Sequence, residues 1–238
     1  MPPSIKKLHL GCGHITPEGW INVDGSWNAR LSQYPVLRRV IQGLRLLPPD
    51  HSGKRYAPNI VSFDLKKPLP YPDNSMSAIF ASHLMEHLYQ TEAQRLLKEC
   101  YRVLEPGGVL RLVLPDLRSV VEDYLAGKTD DAPYGEHRAE TPADLLNIRL
   151  MYRAPQAPSG SAPYRVYTAL KDFHSHKWMY DAQSLVHHVT VAGFVEVEQR
   201  PFLDSRIEGI EQVEKPERVL NGRGICVEGV KGRMKDEG

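Results

Sequence analysis

No stretch of this sequence stays apolar for the roughly 18 residues that cross a bilayer, and the amino-terminal MPPSIKKLHLGCG lacks the apolar core of a signal peptide. Cysteine is scarce as well. Cys12, Cys100 and Cys226 are odd in number and have no CxxC spacing, which excludes a disulfide framework and a cysteine zinc site. Charge of one sign is also lacking: the 238 residues carry a formal +1 with ten histidines counted neutral, not the basic face of a duplex-binding protein. Internal repeats are absent. These absences lead us to expect a reduced, cytoplasmic protein with one α/β domain spanning 1–238.

What is present is an ordered series in the first half of the chain: LHLGCG at 8–13, INVD at 21–24, VSFDL at 61–65, SAIFASHLMEHL at 77–88 and RVLEPGGVLRLVLPD at 102–116. Each apolar run ends in a glycine, an acid or a polar residue, and an open α/β sheet gathers its ligand at such strand ends. Strands are expected at Lys6–Gly11, Trp20–Asp24, Ile60–Asp64, Ala78–Ser82 and Val109–Leu114, with two closing strands at Val195–Gln199 and Ile225–Val230. Thr91 and Gln94 read as a capping box for a helix whose buried stripe is Leu96, Leu97, Cys100, Tyr101 and Leu104, stopped by Pro106-Gly107-Gly108. LRSVVEDYLAG after Asp116 reads as another helix. A further one, from an Asp181 cap to a Gly193 stop, follows from DAQSLVHHVTVAGF.

Two insertions interrupt the pattern. Residues 25–59 hold six basic side chains against one acid, and Val36, Leu37, Val40, Ile41, Leu44 and Leu47 fall at helical spacing until Pro48 and Pro49. That stretch is either a surface helix with its stripe on the core, the reading we prefer, or a peripheral membrane contact through 34–47. Residues 127–177 lack sustained periodicity and are read as a substrate cap.

The series resembles the class I S-adenosylmethionine-dependent methyltransferases, most nearly the small-molecule, type 11-like members, over residues 6–116. The resemblance implies a Rossmann-like doubly wound sheet, mostly parallel with an antiparallel closing strand, and S-adenosyl-L-methionine as cofactor. It places the amino-acid part of the cofactor against His9, Gly11, Cys12 and Gly13, the ribose on Asp24, the adenine on Asp64 and Leu65, and the pocket floor at Ser82 and His83. Two departures stand out: His9 occupies a position where an acid is usual, and only ten residues separate Gly13 from Asp24. Read from the residues alone, the glycines can also serve a simple turn, and either acid can also cap a helix.

His83-Leu84-Met85-Glu86-His87 matches the HxxEH zinc-protease motif letter for letter. Family members commonly carry Glu-His-Leu here and no third-ligand motif follows, so we assign no metal and disfavour a zinc hydrolase. Glu86 and His87 are expected to fix a local helix by hydrogen bonds. Candidate general bases are Asp116, His83, His174 and His176, each of which can equally be a surface or pocket-lining residue. The expected reaction is O- or N-methylation of a small molecule, sugar or lipid-linked intermediate, with nucleic acid disfavoured as acceptor. The rivals are a non-catalytic protein that binds S-adenosylmethionine or a nucleotide, and an NAD-dependent oxidoreductase, against which stands the missing third glycine of the dinucleotide fingerprint.

Overall fold

The computed structural model describes residues 6–43, 59–129, 139–150, 175–219 and 224–233. Its centre is a seven-stranded sheet in the order β3-β2-β1-β4-β5-β7-β6. The strands are β1 (Lys7–Leu10), β2 (Ile21–Asp24), β3 (Val61–Ser62), β4 (Met76–Ser82), β5 (Leu104–Pro115), β6 (Val195–Gln199) and β7 (Gly224–Val230). β1 to β5 pair in parallel, and β7 runs antiparallel to both β5 and β6. The expected sheet, mostly parallel with an antiparallel closing strand, is what forms. Strand order reverses between β1 and β4, so the glycine loop after β1 opens at the switch point of the sheet.

Alternation along the strands divides the core in two. Leu8, Leu10, Ile79, Ala81, Leu110, Leu112, Ile225 and Val227 face one side. There they meet helix α3 (Gln90–Val103) through Leu96, Leu97 and Cys100, together with Leu185 and Val189. Ala78, Phe80, Val109, Val113 and Cys226 face the other side. That side is covered by Trp20 and by Ile207, Ile210, Val213 and Val219 from the segment between β6 and β7, which holds a 3-10 turn and the short helix Pro216–Val219.

Several boundaries differ from the sequence reading. Helix α3 starts at Gln90, and Glu92, not Gln94, turns its carboxylate back to accept the Tyr89 N–H at 3.1 Å; Thr91 lies inside the first turn. Leu104 belongs to β5, because Glu105-Pro106-Gly107-Gly108 forms an irregularity within the strand pairing and not the stop between helix and strand. β3 is only two residues long, so Asp64 sits in the loop beyond it. The ten residues between β1 and β2 form turns without a helix. Helix α4 (Leu117–Leu125) follows Asp116 as expected. Asp181 accepts the Ser184 N–H at 2.8 Å to cap the helix Ala182–Val191, which ends before Gly193.

In the first insertion, α1 (Trp27–Ser32) and α2 (Pro35–Gly43) form, while Leu44, Leu47, Pro48 and Pro49 lie outside the described residues. Val36, Leu37 and Val40 are 73%, 49% and 54% exposed, so the preferred reading, a stripe packed on the core, is not what the described residues adopt. Of the second insertion, the described part includes α5 (Pro142–Leu150), held to α4 by Arg149 and Asp123. Among the described residues no helix is long and apolar enough to cross a membrane.

Candidate active site

The carboxyl ends of the parallel strands gather most of the residues singled out in the sequence. Gly11 and Gly13 have φ of +66° and +56°, the left-handed region that a side chain disfavours, so the loop turns sharply away from β1. Asp24 fastens it: Oδ2 accepts the Gly13 N–H at 2.9 Å and Oδ1 accepts the Ser26 N–H at 2.7 Å. The short β1 to β2 connection therefore leaves the acid beside the glycine loop. Gly25, which the sequence reading passed over, is required by close approach, since a Cβ there would lie 2.6 Å from the Phe63 carbonyl oxygen. Ser26 then caps α1 by accepting the Ala29 N–H at 3.2 Å. The signal available in the sequence was the glycine directly after a strand-ending acid.

Cys12 is buried against Ala29 and Ile60, and burial pushes its thiol up to about 12, so it packs as a neutral side chain. His9 is 2% exposed, its ring 5.3 Å from Phe80 and 6.2 Å from Trp20. Burial lowers its pKa from 6.5 to about 4, so it is neutral near pH 7. On this strand it is a core residue behind the loop. Asp64 Oδ1 accepts the Lys66 N–H at 3.1 Å, while Leu65 is buried in the core.

At the end of β4 the Ser82 hydroxyl is buried without a hydrogen-bond partner among the described residues. His83 follows with φ of +51°, and its ring is engaged on both sides. Nε2 lies 3.1 Å from the Arg218 carbonyl, and Nδ1 lies 3.3 Å from Glu86 Oε1. A 3-10 turn, Met85–His87, replaces the continuous helix that a zinc protease would need. Glu86 and His87 do not brace a local helix. The Glu86 carbonyl accepts the Lys177 and Trp178 N–H groups at 2.6 and 3.2 Å, and His87 Nδ1 lies 3.3 Å from the Ser175 carbonyl. Full burial would raise the Glu86 carboxyl, but neighbouring His83 and His87 hold it below its ordinary value.

Of the base candidates, Asp116 caps α4 by accepting the Arg118 N–H at 3.0 Å, and burial raises its pKa. His176 is buried beside His87, with ring centroids 5.0 Å apart, and burial lowers its pKa. His174 lies outside the described residues. Thus the structure brings the glycine loop and Asp24 into contact, and gathers His83, Glu86, His87 and His176 in a second group.

Residues 46–112 match the model of a methyltransferase domain family. A curated relative, the methyltransferase GfsG of Streptomyces halstedii, is 30% identical over 120 residues, half of this chain. The match spans 40% of that relative's length. Among solved structures, a SAM-dependent methyltransferase from Archaeoglobus fulgidus is 14% identical, with a TM-score of 0.46 over 94% of this chain and 85% of that one. A SAM-dependent methyltransferase from Thermotoga maritima, described as a possible histamine N-methyltransferase, is 16% identical, with a TM-score of 0.44 over 95% and 81% of the two chains. The family match covers β3, β4, α3 and the first three-quarters of β5, and the sheet supplies the remaining strands in the expected order. The chain thus resembles a methyltransferase domain over residues 46–112, set within a sheet of the order expected from the sequence.

Proposed function

We propose that this chain transfers the methyl group of S-adenosylmethionine to a hydroxyl or amino group of a small molecule, sugar or lipid-linked intermediate. The observation that carries this reading is the Gly11–Gly13 loop fastened by Asp24 at the switch point of the sheet. The residues present suit the cofactor. A Cβ at Gly13 would meet nothing within 4 Å, which leaves room beside the loop, and the unpartnered Ser82 hydroxyl offers a polar contact at the neighbouring strand end. The two backbone bonds to Asp24 use only part of the roughly four acceptor positions of a carboxylate, leaving capacity for ribose hydroxyls.

When bound, the sulfonium supplies an already activated methyl group, so the protein's work is alignment. The Gly11–Gly13 backbone holds the amino-acid end, Asp24 the ribose, and Asp64 the adenine amino group, with Leu65 behind the ring. Cys12 and His9 pack beneath and keep the loop in place. Asp116, whose raised pKa favours proton acceptance, is the base we assign for a hydroxyl acceptor. The near-neutral charge favours such acceptors over nucleic acid. Residues 127–177 serve as the substrate cap in this reading.

One observation favours the lipid-linked branch: Val36, Leu37 and Val40 are exposed on α2, in a stretch that also carries Arg38 and Arg39. The test is release of S-adenosylhomocysteine with acceptor panels of sugars, hydroxylated or amino small molecules, and lipid-linked sugars in vesicles. Turnover with one class identifies the acceptor. Cofactor binding without transfer to any class would instead favour a binding protein.

A further inference from the structure

Glu86 is fully buried, and among the described residues its carboxylate has the His83 imidazole beside Oε1 and no hydrogen-bond partner at Oε2. Around it stand three imidazoles whose orientations agree. The Arg218 carbonyl carries no proton, so the His83 Nε2 that faces it is the N–H donor, while its Nδ1 faces Glu86 Oε1 at 3.3 Å. By the same reasoning His87 Nδ1 donates to the Ser175 carbonyl and leaves Nε2 as its acceptor. His176 has a hydrogen-bonding partner in the Leu150 carbonyl, while its Nδ1 is buried without one. His87 and His176 thus each spend one nitrogen on a backbone carbonyl and keep the other as an acceptor, the arrangement that fixes the tautomer of a metal-bound histidine.

Acceptor nitrogens of His87 and His176 beside a buried carboxylate form a donor set that suits a cation. One ligating atom each from Glu86, His87 and His176 lie within 4.8 Å of one another. A proton on His83 would account for its own contact with Oε1, but would leave Oε2 and His176 Nδ1 buried and unpaired at a desolvation cost.

We propose that Glu86, His87 and His176 bind one zinc ion, with His83 beside the Glu86 carboxylate as an outer-shell partner. Two imidazoles and one carboxylate form a nitrogen and oxygen set that zinc takes, whereas magnesium and calcium prefer oxygen alone. The ion staples the loop after β4 to residues 175–178, reinforcing the bonds from Lys177 and Trp178 to the Glu86 carbonyl. This assignment reverses the expectation of no metal, yet it does not restore the HxxEH zinc-protease site, in which both motif histidines share one helix face and ligate the ion. It stands independently of the methyl-transfer reading.

The experiment is elemental analysis of the full chain purified from zinc-supplemented medium. The apo protein is then titrated with zinc against a chromophoric chelator, and the bound zinc is examined by X-ray absorption. One zinc per chain, nitrogen and oxygen ligation only, and a Tm raised by zinc are expected. His176→Ala and the gentler His176→Asn, checked for folding by circular dichroism, should each weaken zinc binding by more than about 100-fold, beyond what loss of an outer-shell partner costs. Wild-type protein that takes up no zinc at micromolar free metal would overturn the proposal. So would sulfur in the coordination shell, or a folded His176 variant with unchanged affinity.

Discussion

Asp24 is where a single side chain ties the fold to the proposed cofactor site, because its two oxygens join the glycine loop to the segment that caps α1. Asp24→Asn keeps the shape but removes the charge and turns an amide donor toward one of two N–H groups. We expect a stability loss of about 1.5–3 kcal/mol by urea denaturation, typical of a hydrogen bond to a charged group. The affinity for S-adenosylmethionine should fall by at least about tenfold. His9 supplies a pH signature. Its folded-state pKa of about 4 lies below the ordinary 6.5, so the unfolded chain binds more protons between those values. The His9 contribution is therefore fully present above pH 6.5 and is lost as pH falls toward 4. His9→Leu should lose about 2 kcal/mol less than the wild type when denaturation is measured at pH 5 and compared with pH 7. Equal losses in the two proteins would contradict the buried, neutral imidazole.

At the scale of elements, the segment between β6 and β7 is held to the sheet by Arg111. This side chain, 0% exposed in the middle of β5, donates to Glu214 at 2.8 and 3.0 Å, and to the carbonyls of Asp204 and Pro201 at 2.8 and 2.9 Å. Glu228 Oε2 lies 3.4 Å from its Nη1. Arg111→Ala leaves two buried carboxylates without their cation and should cost about 3–5 kcal/mol in urea denaturation. Adding Glu214→Gln to Arg111→Met should recover part of that loss. A cost under about 1 kcal/mol for Arg111→Ala would remove this segment from the account.

The same residue marks what was legible in the sequence. Arg111 is the one charge in the apolar run Val109–Leu114, but its partner Glu214 lies in a stretch with no period to read. Helices with a side-chain cap and a glycine stop, such as Asp181 to Gly193, were legible because both signals are local. The start of α3 was misplaced by a turn choice, since Thr91–Gln94 and Tyr89–Glu92 offer the same spacing and only the geometry selects the second. Leu104 was read as helix because Pro106 and the two glycines resemble a stop, and the pairing that makes them part of β5 comes from β4 and from Lys231. His83, Glu86 and His87 were visible as a motif, while their association with His176 depends on the fold of the distant 175–178 segment.

At the scale of the whole molecule, the reversal of strand order places the glycine loop of β1, Asp24 of β2 and Ser82 of β4 along one edge, with Asp64 in the loop beyond β3. The family match begins after β2, so Gly11, Gly13 and Asp24 are linked to the domain by topology and geometry. That edge is the central claim, and calorimetric titration of the full chain with S-adenosylmethionine and with NAD tests it most directly. We predict saturable one-site binding of S-adenosylmethionine, weakened by at least about tenfold in Asp64→Ala, and no binding of NAD. Saturable binding of NAD alone, or of neither compound, would contradict it.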